Sequence, residues 1–149
     1  MQHDTRDTAR KAAGAEWLDA VAEPAIPVLA SPSWRGVDGD LWRLRKTDGA
    51  RCLAKVMDAD TAEFSDCGTA IAAARQASDA GLGPRVLSAD PAGRVLVMEE
   101  LCAEAGWTTG TLDRMADRDT RLAVLAARKA FQRTAPLGRK ADVFDQTDA

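Results

Sequence analysis

Between residues 36 and 101 short apolar runs alternate with turn chemistry, in an order that leaves few folds open. Leu41, Trp42 and Leu44, with Arg43 and Arg45 interleaved, read as a strand. Thr47-Asp48-Gly49 follows as a hairpin turn, because Asp-Gly supplies positive φ at little cost. Residues 52–57 return as a second strand carrying a single lysine, Lys55. A helical stretch comes next, then a strand from Val86-Leu87 and a turn at Asp90-Pro91-Ala92-Gly93. Residues 95–98 are apolar throughout, as in a central strand, and Glu99 and Glu100 end the run.

The flanking segments complete the expectation. Residues 1–14 read as a flexible start, and residues 12–21 predict a short helix with Trp17, Leu18 and Val21 on one side, stopped by Pro24 and Pro27. Residues 26–30 read as extended and Ser31-Pro32-Ser33 as a turn. Asp60-Thr61-Ala62-Glu63 has the form of a capping box, Gly68 is a candidate break in the helix it opens, and Gly81 ends that helix. Asp117 or Asp119 caps a last helix reaching about Gln132, with Leu122, Val124, Leu125 and Phe131 on its buried side. The fold expected is α+β: a mostly antiparallel sheet of about five strands, one helix packed on a face, and helices at both ends.

Composition narrows the function. At 149 residues the size prior is one domain, able to bury a real core. A net charge of −3 gives no case for nucleic acid or an anionic membrane as partner, and the absence of tyrosine leaves little for base stacking. Residues 1–11 are polar, unlike a signal peptide, and no stretch approaches the ~20 apolar residues of a spanning helix, so a cytoplasmic location is expected. Cys52, Cys67 and Cys102 are far apart and the only histidine is His3, so a zinc site lacks ligands and the cysteines read as buried or half-buried free thiols.

Lys55 is the first candidate for chemistry. A lysine amid an apolar strand is costly to bury unless an anion meets it. The alternative is an edge-strand lysine that snorkels to water. Gly36-Val37-Asp38-Gly39-Asp40 precedes it, a place where backbone could approach a phosphate closely, or an ordinary loop between strands.

The order of these motifs resembles the smaller, amino-terminal lobe of the kinase-like phosphotransferases, the aminoglycoside phosphotransferase and choline kinase family. Gly81-Leu82-Gly83-Pro84-Arg85-Val86-Leu87 followed by residues 95–101, Val-Leu-Val-Met-Glu-Glu-Leu, is the best-matched piece, and residues 107–113 and 135–144 are similar to the family's linker. The resemblance spans about residues 26–145. It implies a lobe over residues 15–103 and a linker and helix over residues 104–149, leading to a catalytic lobe. It implies ATP as the nucleotide, with magnesium held in the full family site, and a small hydroxylated acceptor. Lys55 would hold the nucleotide phosphates, Gly36 and Gly39 would cover them, and the Glu99 carbonyl and Leu101 amide would meet the adenine.

The chain also departs from the pattern. The family's helix glutamate, partner of the lysine, falls near Ala72 or Ala73, and Glu63 is about nine residues earlier. Asp38 and Asp40 beside a triphosphate would repel it. The His-x-Asp-x-x-x-x-Asn loop of the larger lobe has no counterpart: there is no asparagine, and Asp142, Asp145 and Asp148 read as a solvated tail. A kinase lobe inactive alone is therefore expected. The alternative is a non-catalytic nucleotide-binding or protein-interaction module, with self-association or a second lobe as partner.

Overall fold

The structure is a computed structural model that describes residues 4–25, 39–60, 66–108 and 110–138. It is α+β, built on a five-stranded sheet. The strands are β1 (Val21–Pro24), β2 (Gly39–Arg45), β3 (Arg51–Met57), β4 (Val86–Asp90) and β5 (Val95–Glu99). They lie in the order β1-β2-β3-β5-β4, and every neighbouring pair is antiparallel. Asp48-Gly49 makes the β2–β3 hairpin as its chemistry requires: Gly49 sits at φ 87°, its amide donates to the Lys46 carbonyl, and the Lys46 amide donates to the Ala50 carbonyl. Asp90 turns β4 into β5, its carboxylate accepting from the Gly93 amide at 3.0 Å.

Side chains alternate across the sheet. One face carries Asp40, Trp42 and Leu44 of β2, Cys52, Ala54 and Val56 of β3, and Val95 and Val97 of β5. Helix α1 (Arg6–Ala13) covers this face with Ala9, Ala12 and Ala13. Leu44, Val95 and Val97 are fully buried there, each contributing about 1.5–3 kcal/mol by leaving water. Polar contacts fix the helix: Ser88 Oγ donates to the Ala12 carbonyl at 2.6 Å, Arg10 Nε donates to the Ala20 carbonyl at 2.8 Å, and Trp42 Nε1 donates to Thr5 Oγ1 at 2.8 Å.

The other face carries Leu41, Arg43, Leu53, Lys55, Met57, Leu96 and Met98. Helix α2 (Cys67–Asp79) covers part of it, closing a second cluster of Met57, Cys67, Ile71 and Leu96. Asp66 caps this helix by accepting from the Thr69 amide, and Gly81 at φ 67° follows its end in the left-handed conformation. Short helix α3 (Leu112–Ala116) and α4 (Arg118–Gln132) complete the described residues. Gln76 of α2 reaches Thr134 and the Ala135 carbonyl just beyond α4.

Four expectations need correction or limits. The helix expected over residues 12–21 lies earlier, at Arg6–Ala13, inside the stretch read as a flexible start. A 3-10 turn (Ala15–Trp17) follows, and Val21 already belongs to a strand. Gly68 does not break α2; it sits in the first turn, where the Asp66 cap holds the backbone. Asp117 rather than Asp119 caps α4, and most of its apolar side is not buried: Leu122, Val124 and Leu125 are 46%, 48% and 50% exposed, while Phe131 is half-buried. An amphipathic pattern specifies which side of a helix is apolar, not that a surface meets it. The expectations for residues 26–33, the box at Asp60-Glu63, Gly36, Asp38 and the aspartates beyond residue 138 lie wholly or partly outside the described residues. Among the described residues no helix is long and apolar enough to cross a membrane.

All three cysteines are free, Cys52 and Cys67 buried and Cys102 half-buried. Burial, with the carboxylates of Glu100 and Glu16 nearby, pushes the Cys52 thiol up to about 11. At pH 8 about a thousandth of it would be thiolate. Native protein treated with maleimide at that pH should therefore modify Cys102 first and spare Cys52 until it unfolds. Peptide mapping that found Cys52 labelled as fast as Cys102 would contradict this packing.

Candidate functional site

Lys55 sits at the centre of β3, in register between Leu41 of β2 and Leu96 of β5. It is half-buried, on the face that α2 covers in part. Leu41, Leu53 and Met98 lie beside it on the same face, each half-buried, and Leu41 and Leu53 belong to neither core cluster. The described face thus offers a cation next to an incompletely buried apolar floor.

Asp40 does not share that face. It points with Trp42 toward α1, where its carboxylate accepts from Thr5 Oγ1 at 2.7 Å. Asp40 and Lys55 therefore lie on opposite faces of the sheet. Gly39 begins β2 opposite Met57 at φ 142°. A Cβ there would lie 2.0 Å from the Val56 carbonyl oxygen, so the position demands glycine for packing alone. Helix α2 carries no acid near Ala72 and Ala73; its sole acidic residue is Asp79 at the far end.

At the end of β5, Glu99 is tied to Arg85. Its amide donates to the Arg85 carbonyl at 2.9 Å, and its carboxylate accepts from the Arg85 amide at 2.7 Å. The side chain takes the donor that a regular ladder would give to the Glu99 carbonyl, leaving that carbonyl without this partner. Leu101, 36% exposed, follows two residues after the end of β5.

Around Leu101 opens a cleft of about 430 Å³, lined chiefly by Arg43, Arg45, Arg51, Glu100 and Glu104. Arg43 Nε donates to Glu100 Oε1 at 2.5 Å. Arg51 Nε lies 3.9 Å from Glu100 Oε2, too far for a hydrogen bond. The Glu100 side chain is 7% exposed, and Oε2 is buried with no hydrogen-bond partner among the described residues. Glu23 engages Arg45 at 2.9 Å, and Glu104 stands 3.7 Å from Arg51.

Sequence reasoning named Lys55, Gly36, Gly39, Glu99 and Leu101 and did not find the cluster of Arg43, Arg51 and Glu100. A signal was present. Arg43 pairs with Leu53 and Arg45 with Arg51, so strand alternation alone gathers these arginines on the face of Lys55, where the chain leaving β5 must pass. Of the five, the structure puts Lys55 on one face of the sheet and Glu99 and Leu101 at the rim it leads to, places Gly39 at the start of β2, and does not describe Gly36. No group of three or more histidine, cysteine, aspartate or glutamate side chains among the described residues is arranged to hold a metal. No protein-family model, curated protein or solved structure matches the chain.

Proposed function

We propose that this chain is a nucleotide-binding lobe of the small-molecule kinase type, taking ATP on the sheet face that carries Lys55. The observation that carries the reading is the order of chemistry along that face. Lys55 supplies a compact positive charge for phosphates. Leu53, Leu41 and Met98 supply an apolar floor for a base, and the rim at Glu99 and Leu101 supplies main-chain groups. A five-stranded antiparallel sheet with a helix between β3 and β4 is compatible with the small lobe the resemblance implies, which supports the same reading. Described side chains supply binding and orientation. No histidine is among them, and the described helix following β3 sets no acid near the middle of its length. Turnover of a hydroxylated acceptor would need a base and metal ligands from elsewhere.

Isothermal titration with ATP tests the reading. Lys55→Ala should weaken binding about tenfold or more, since a charge-assisted hydrogen bond is worth about 1.5–3 kcal/mol, while the far-ultraviolet CD stays unchanged. Equal affinity in both proteins would remove Lys55 from the site. The second reading, an interaction module, is favoured by a different observation: Leu112 is 90% exposed and Trp107 54%, close in sequence to the exposed leucines of α4. A chain that self-associates and binds no nucleotide would fit that reading instead.

A further inference from the structure

The cleft beside Leu101 contains a defect that native proteins rarely tolerate. Glu100 Oε2 is a buried carboxylate oxygen with no donor among the described residues. Leaving such a group unmet costs about 1–3 kcal/mol or more for a charged group. Its twin, Oε1, is satisfied by Arg43. The nearest other cation, Arg51, stands over Oε2 at 3.9 Å without bonding it. Arg51 has spare capacity too: its contact to Glu104 is 3.7 Å, and among the described residues its side chain makes one hydrogen bond, a weak one to Cys102 Sγ at 3.5 Å. A buried acceptor therefore lies next to an under-used donor, in the wall of a cleft large enough for a heterocycle.

We propose that the Arg43–Arg51–Glu100 cleft reads the edge of a nucleobase that carries an amino group beside a ring nitrogen, as adenine does. The amino N–H would donate to Glu100 Oε2, and Arg51 would donate to the neighbouring ring nitrogen. Arg43 is a positioning residue that fixes which oxygen of Glu100 is free. The inference rests on the nucleotide reading above and adds side-chain recognition of the base to it. The placement suits that reading. Arg51 is four residues from Lys55 on the same strand and face, roughly 13 Å away, with Leu53 between them. Phosphate, ring and amino edge would then follow the strand in order. The two guanidinium groups beside Glu100, those of Arg43 and Arg51, oppose a free cation at its second oxygen and favour a neutral donor.

The test compares adenosine with purine riboside, which lacks only the amino group, by titration against the full chain. The wild type should bind adenosine about tenfold more tightly, the value of one hydrogen bond to a charged acceptor. Glu100→Gln keeps the shape. Arg43 would hold the glutamine oxygen and turn its NH2 toward the ligand, so donor would face donor and the preference should vanish. Arg51→Met should weaken both nucleosides by a similar factor. Thermal melts establish that the variants fold, and the wild-type comparison of the two nucleosides stands even if a variant does not.

Lys55-dependent ATP binding without any preference between the nucleosides would overturn this inference and leave the nucleotide reading standing. A Glu100-dependent preference with Lys55→Ala at wild-type ATP affinity would support the cleft and remove the lysine. No binding of ATP or of either nucleoside would overturn both. A preference that survives Glu100→Gln would place the amino contact elsewhere and overturn the inference.

Discussion

Gly39→Ala should destabilise the protein by about 3 kcal/mol or more in the absence of any ligand. Two independent penalties act at this position. The backbone has φ 142°, a region that residues with a Cβ rarely adopt. A Cβ there would also lie 2.0 Å from the Val56 carbonyl oxygen and 2.9 Å from Met57 Cα, both rigid backbone in the neighbouring strand. Relief requires β2 and β3 to separate where their ladder begins, at the pair of Gly39 with Met57. Gly49→Ala is the matched control. Its φ is also positive, at 87°, but nothing lies within 4 Å of the added carbon, so about 1 kcal/mol is expected. Urea midpoints for the two variants separate close approach from mere conformation. Equal losses would show that the strands yield to the added carbon. The result matters for function because a glycine before a lysine-bearing strand invites a phosphate-loop reading. At Gly39 the packing requirement exists whether or not a phosphate comes near.

Four of the five strands were legible in the sequence because strand signals are local; β1 was not, since Val21 was read as the end of a helix and Pro24 as its stop. Period-two patterning at residues 41–44, Asp48-Gly49 and Asp90-Pro91-Ala92-Gly93 each specify a short piece of backbone, and together they force antiparallel neighbours. The first helix was illegible for the opposite reason. Arg6–Ala13 reads Arg-Asp-Thr-Ala-Arg-Lys-Ala-Ala, and its buried contact is made by alanines too small to stand out against the charges. Trp17, Leu18 and Val21, larger and closer together, drew the expected helix too far along the chain, and Leu18 and Val21 are 50% and 51% exposed.

The site divides in the same way. Lys55 was found because a charge inside an apolar strand is conspicuous in one dimension. The partnership of Arg43, Arg51 and Glu100 spans 57 residues of sequence and exists only once register aligns β2 with β3. Glu100 in the run Met-Glu-Glu-Leu looks like a solvated strand exit. Its burial is a product of the two arginines that enclose it, and no property of the glutamate itself announces that.

Helix α1 offers the sharpest test of the assembled fold. Ala9→Asp should cost about 3 kcal/mol or more, a large share of the ~5–15 kcal/mol typical of a domain. Ala9 is fully buried, its cluster contains Trp42, Leu44, Ala54 and Val97, and that cluster holds no buried cation. A carboxylate there must either stay uncompensated in the core or push the helix off the sheet. Detachment would strip cover from Trp42 and break its indole bond to Thr5, so tryptophan emission should shift to longer wavelength in the same step. Lys11→Asp makes the complementary comparison on the exposed side of the same helix, where changes normally stay within about 0.5 kcal/mol. Low pH supplies a further sign. The introduced carboxyl would have its folded-state value raised by desolvation, so the variant should recover stability as pH falls toward the carboxylate range. A variant as stable as wild type at neutral pH, with unshifted emission, would mean that Arg6–Ala13 does not cover the sheet, and the face of Leu44 and Val97 would need another cover.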